Sequence, residues 1–158
     1  MLAFSSDVYD TLKLVHVLAA IAWLGSGLFV QYRGTRLSRH GTAEQLAGLG
    51  RDVADSAVWF IVSSVTVLVS GVALVLYAPG LGFTDTWILL GLIGYAATFV
   101  TGNFMIRPTA EKLVATAAVE GPASPSVQAL IARIFMISRV DQVVLVLIVG
   151  VMVFRPGA

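Results

Sequence analysis

Four long apolar runs leave this chain few folds to choose from. A helix needs about 20 mainly apolar residues to cross the hydrocarbon core of a bilayer, and segments at about 12–32, 57–77, 86–106 and 134–154 each meet that requirement. In lipid every backbone N–H and C=O must be satisfied inside the protein, so runs of this kind fold as helices. The expected fold is all-α: a single 158-residue domain built as an integral-membrane, up-and-down four-helix bundle. Composition supports this class. Charged residues make up 12% and hydrophobic residues 58%, whereas a soluble domain carries about 25% charge.

Several kinds of chemistry drop out at once. The sequence has no cysteine, which removes disulfides, thiolate metal sites and iron–sulfur clusters. A net charge of +1 gives no electrostatic footprint for nucleic acid. No nucleophile elbow, phosphate loop or HExxH zinc signature occurs, so no enzymatic activity is assignable. The first apolar run is preceded by Asp7 and Asp10, where a cleaved signal peptide would carry basic residues. It reads as a retained helix.

The basic residues set an expected orientation. Arg33, Arg36, Arg39, Arg51, Arg107, Lys112, Arg133 and Arg139 flank the two long connections, which is eight of the ten Lys and Arg. Lys13 and Arg155 alone lie at the opposite end, and the turn from Ala78 to Asp85 has no basic residue. The positive-inside rule then places both termini outside and both long loops in the cytoplasm of a cell-membrane protein. Trp59, Tyr77, Trp87 and Phe154 fall near span ends, where aromatic rings suit the headgroup layer.

The long connections read as helical extensions. Thr42 followed by Gln45 is a capping-box pattern, with Leu46, Leu49 and Val53 on one face, and this helix is expected to run on into span two. Pro108 is expected to kink or end span three. The stretch Gly121-Pro122-Ala123-Ser124-Pro125 is a break, with Ser124 as N-cap and Pro125 at the first helical position. One helix then runs to Phe154, leaving the start of the fourth span open.

Periodicity shows which faces look inward. Span one carries Tyr9, Lys13, His16, Ala20, Trp23, Gly27 and Gln31 on one stripe, with Leu14, Leu18, Ile21, Leu28 and Tyr32 elsewhere. Spans two and three carry stripes of small and hydroxyl residues, Ser63-Thr66-Ser70 and Gly91-Gly94-Thr98 among them, as helix seams in lipid do. Ionisable groups inside a span point to a bundle interior or cavity. Lys13 is close enough to the surface to snorkel; His16 lies about one turn deeper and needs an internal partner. In span four, Arg139 and Asp141 are too close in sequence to pair with each other. Asp141 therefore reads as half of a structural ion pair, with Arg107 or Arg33 as partner.

Leu12-Lys13-Leu14-Val15-His16, followed by Trp23-Leu24-Gly25, resembles the first-helix signature Lys-x-x-His…Trp-x-Gly. That signature recurs in a bacterial family of four-helix "predicted integral membrane proteins", a domain of unknown function. The closing Met152-Val153-Phe154-Arg155-Pro156 is similar to that family's usual end. The same first-helix pattern looks like copper-resistance protein D and the HemJ-type protoporphyrinogen oxidases. In the latter the matching histidine holds a haem, which the resemblance carries over to His16. HemJ-type proteins also use a lysine on a later helix, and spans two to four here contain none.

Three functions follow as expectations. The first is a scaffold or accessory subunit, in which His16 hydrogen-bonds to a hydroxyl such as Ser70 or to Tyr77. The second is a b-type haem-binding redox or sensor bundle, with His16 and Met152 as an axial pair and Trp23 stacking on the macrocycle. The third is transport of copper or another small solute. The expected partners are the lipid bilayer and, beyond it, a second copy of the chain or another membrane protein.

Overall fold

The computed structural model describes residues 6–157. The helices are α1 (Ser6–His40), α2 (Ala43–Asp55), α3 (Ala57–Tyr77), α4 (Thr86–Val100), α5 (Arg107–Glu120) and α6 (Pro125–Phe154), with a π-helical segment, Thr101–Ile106, joining α4 to α5. No strand occurs among the described residues. Four helical stretches, beginning at Asp7, Ala57, Thr86 and Pro125, are long and apolar enough to cross a membrane. The protein is an all-α, membrane-type helical structure.

Local chemistry sets the boundaries. The Thr42 hydroxyl accepts from Gln45 N at 3.2 Å, and the Gln45 amide oxygen accepts from Thr42 N at 3.0 Å. The reciprocal capping box therefore forms and starts α2. Ser124 caps α6 through Val127 N at 3.3 Å, with Pro125 opening the helix. Gly121 stands at φ 83, a left-handed backbone that glycine adopts without a Cβ clash, and there the chain reverses out of α5.

Two boundary expectations are corrected. α2 does not run on into span two: the chain bends at Ser56 (φ −82, ψ 3), and α3 begins afresh at Ala57. Pro108, expected either to kink or to end span three, does not end it. Its missing N–H and its ring would disrupt an α-helix at the preceding turn, and here that turn is the wider π segment. Helix continues beyond it as far as Glu120.

The long helices pair antiparallel. α1 lies on α3, with His16 opposite Val67 and Ser26 opposite Trp59. α4 lies on α6, with Gly91 opposite Met152 and Gly94 opposite Ile148. α1 also meets α6, where Gly27 faces Gln142 and Gly34 faces Phe135. α3 and α4 are joined by a short turn but share no comparable seam.

The best-buried apolar cluster is not between the spans. It lies at the end carrying α2 and α5, where Leu46, Ala110, Leu113, Val127, Ile131 and Ile134 close over one another. Along the spans the large apolar side chains face outward instead: Leu14, Leu18 and Ile21 are 57%, 55% and 62% exposed. In lipid such faces need no burial, and cohesion passes to small residues and interhelical hydrogen bonds. The inward stripe expected for α1 is the one turned to its neighbours.

Candidate functional site

The polar residues of the bundle fall into two places. The first is the α1–α3 seam. His16 Nδ1 lies 3.0 Å from the Val67 carbonyl oxygen and 3.1 Å from Ser70 Oγ. The Ser70 hydroxyl is already donated to the Thr66 carbonyl at 2.5 Å, and a carbonyl has no proton to give. Nδ1 therefore carries the hydrogen and donates to both oxygens, leaving the Nε2 lone pair free. The ring lies close against α3, where a β-carbon on Gly71 would come within 3.0 Å of His16 Cε1. Lower in the same seam Trp59 Nε1 donates to Ser26 Oγ at 3.1 Å, and Ser26 Oγ donates to the Ala22 carbonyl at 2.6 Å.

The second place is a cavity of about 230 Å³, on the side where α3 and α4 part and toward the end capped by α2 and α5. Trp23 and Gly27 of α1 form one wall, Ser64 of α3 and Thr98 of α4 face it, and Ser138, Asp141 and Gln142 enter from α6. Asn103 comes from the π segment, and Arg107 and Glu111 stand farther along, half exposed.

The hydrogen bonding of these groups is one-sided. Ser64 donates to the Ile61 carbonyl at 3.0 Å, Thr98 to the Tyr95 carbonyl at 2.9 Å and Asn103 Nδ2 to the Phe99 carbonyl at 2.9 Å. Each spends a donor on its own helix and keeps an oxygen with lone pairs to spare. Asp141 Oδ1 and Gln142 Oε1 are buried and accept no hydrogen bond, and so is Gln31 Oε1 one turn along α1. Two side-chain oxygens of the cavity, Asp141 Oδ1 and Gln142 Oε1, are therefore left unpartnered, the first of them a carboxyl oxygen.

The ion pair expected for Asp141 is not formed. Arg107 Nε is 3.0 Å from Glu111 Oε1, one turn along its own helix, and Arg33 is 4.0 Å from Asp52. Arg139 is exposed and, among the described residues, in no ion pair. The i,i+4 spacing of Arg107 and Glu111 was a local signal favouring that pair.

The residues considered for haem fall into different seams. His16 is turned to α3, while the Met152 methyl sits over Gly91 of α4, where a β-carbon would be 2.0 Å away. Trp23 meets Tyr95 edge to face at 5.6 Å, and Tyr95 stacks on Phe99. His16 and Met152 form no axial pair; of the two, His16 keeps its Nε2 lone pair free. Among the described residues no three His, Asp or Glu side chains come together to hold a metal ion. Lys13 is exposed, 3.5 Å from Asp10 and over the Tyr9 ring.

Sequence reading passed over Asn103, Ser64 and Ser138. Asn103 carried a usable signal, being an amide inside an otherwise apolar span; a single serine in a span, as at Ser64 and Ser138, carries none.

Neither a curated protein nor a solved structure matches the sequence. The family model described as "Predicted integral membrane protein (DUF2269)" matches residues 10–156, nearly the whole chain with all four spans, and the protein therefore belongs to that family.

Proposed function

We propose that the bundle binds and passes a small cationic solute, with Asp141 as the group that holds it. The observation that carries this reading is the buried Asp141 Oδ1 with no hydrogen-bond donor beside it. A half-buried carboxyl group with one oxygen shielded and unpartnered is stabilised by an incoming cation, and in membranes such groups mark substrate or ion pathways. The surrounding oxygens of Gln142, Asn103, Ser64 and Thr98 select for a ligand rich in N–H donors or for a hydrated cation. A volume of about 230 Å³ favours a solute below drug size, whose pockets run about 300–1,000 Å³. Ammonium and guanidinium ions with short substituents fit that description.

A pure scaffold leaves the shielded Asp141 oxygen without a partner, although the His16–Ser70 contact on the α1–α3 seam is what that reading expects. The haem reading keeps one supporting observation, the free Nε2 of His16, since a histidine ligand holds its other nitrogen in a hydrogen bond to a carbonyl. It lacks the second ligand.

A thermal-shift panel on the detergent-purified protein tests the proposal. Small ammonium and guanidinium ions are expected to raise Tm in a saturable way, and neutral or anionic solutes of equal size are not. Equal responses to all three classes would contradict it.

A further inference from the structure

A second groove opens on the outside of the bundle, between the π–α5 segment and the first turns of α6. Phe104, Met105, Thr109 and Lys112 line one side and Leu130 and Arg133 the other, around about 260 Å³. No carboxylate lines it. Lys112 and Arg133 come from consecutive helices, α5 and α6; both are exposed, and among the described residues neither is in an ion pair. The nearby Glu111 is taken by Arg107. On the span side the groove is walled by Phe104, 72% exposed, and Met105, 43% exposed. On α6 the outward apolar side chains Met136, Val140 and Leu147 continue from Arg133 along the same helix face.

Two unpaired cations therefore meet at the end of a lipid-facing apolar surface, where a span passes into its extramembrane extension. A phosphate there gains two charge-assisted partners, and the chains attached to it gain the apolar wall. Basic groups next to spans are worth about a fivefold factor each toward anionic lipid, and two that converge on one groove place the headgroup instead of only attracting it. We propose that this groove binds the headgroup of an anionic phospholipid, with Lys112 and Arg133 holding the phosphate and Phe104 and Met105 lying along the acyl chains. The site is separate from the Asp141 cavity and does not depend on the function proposed for it.

The full chain in a neutral detergent is titrated with phosphatidylglycerol or phosphatidylcholine of matched acyl chains, and bound lipid is counted by native mass spectrometry. Phosphatidylglycerol is expected to bind at least tenfold more tightly than phosphatidylcholine. Lys112→Gln with Arg133→Gln is expected to remove that preference. Arg36→Gln with Arg39→Gln removes the same charge from two other exposed arginines and is expected to keep it, and Arg133→Lys to retain most of it. Millimolar inorganic phosphate is expected not to compete. Equal binding of the two lipids, equal loss in the Arg36/Arg39 control, or displacement by free phosphate would each overturn the proposal. If the double variant misfolds, Arg133→Lys and the lipid comparison still decide it.

Discussion

The side-chain amide of Gln142 lies against the bare backbone of Gly27, so closely that a β-carbon there would stand 2.0 Å from Nε2. Two helical turns further along α1 the Phe135 ring takes the same position over Gly34. This pair of glycines brings α1 and α6 together and turns Asp141 and Gln142 into the bundle. The neighbours differ in how far they can yield. An amide on a flexible stem can swing away; a ring wedged between helices cannot. Gly34→Ala is therefore expected to cost about 1–3 kcal/mol, in the range of overpacked cores. Gly27→Ala is expected to cost less stability but to displace Gln142 and weaken cation binding. Tm and ligand titration of the two variants check both halves.

The His16 contact gives a second expectation. Interhelical hydrogen bonds in membrane proteins average about 0.6 kcal/mol, up to about 1.7. His16→Ala is expected to fall in that range, and Ser70→Ala below it, because the Val67 carbonyl still receives the Nδ1 proton. A double-mutant cycle in detergent measures the coupling. A Soret band in protein expressed with excess haem precursor, lost in His16→Ala, would show that Nε2 serves a haem instead.

Asp141→Asn separates the cavity reading from an ion-pair clamp. Breaking a buried pair costs about 3–5 kcal/mol. With Asp141 in no ion pair among the described residues, replacing the carboxyl by an amide relieves a half-buried charge, so Tm without ligand is expected to stay level or rise. A drop of several kcal/mol would reveal a partner that the structure does not contain.

The orientation argued from the basic residues is also open to test. A reporter fused after the last helix is expected to be active only if it functions outside the cytoplasm, and one inserted at Gly121–Pro125 only if it functions inside. The opposite pattern at both sites would invert the protein in its membrane.

The spans were legible because length and apolarity decide them locally. The Thr42–Gln45 box and the Ser124–Pro125 start were legible because capping is chemistry within a few residues. The lipid face of α1 followed from periodicity alone. The passage of helix through Pro108 was not legible, since it rests on a π turn and on Ala110 and Leu113 docking against α6. Nor was the cavity. From sequence Asp141 reads as an inward charge, and the i,i+4 spacing already favours Glu111 as the partner of Arg107; which groups share the cavity with Asp141 depends on the packing of four helices.

Calorimetric titration of a small guanidinium or ammonium ion into the purified protein, beside Asp141→Asn and Asp141→Glu, tests the central claim most directly. The account predicts saturable binding to the natural chain, a loss of tenfold or more in Asp141→Asn, and partial retention in Asp141→Glu. Binding that is unchanged in Asp141→Asn, or absent from the natural chain across the whole panel of cations, would contradict it.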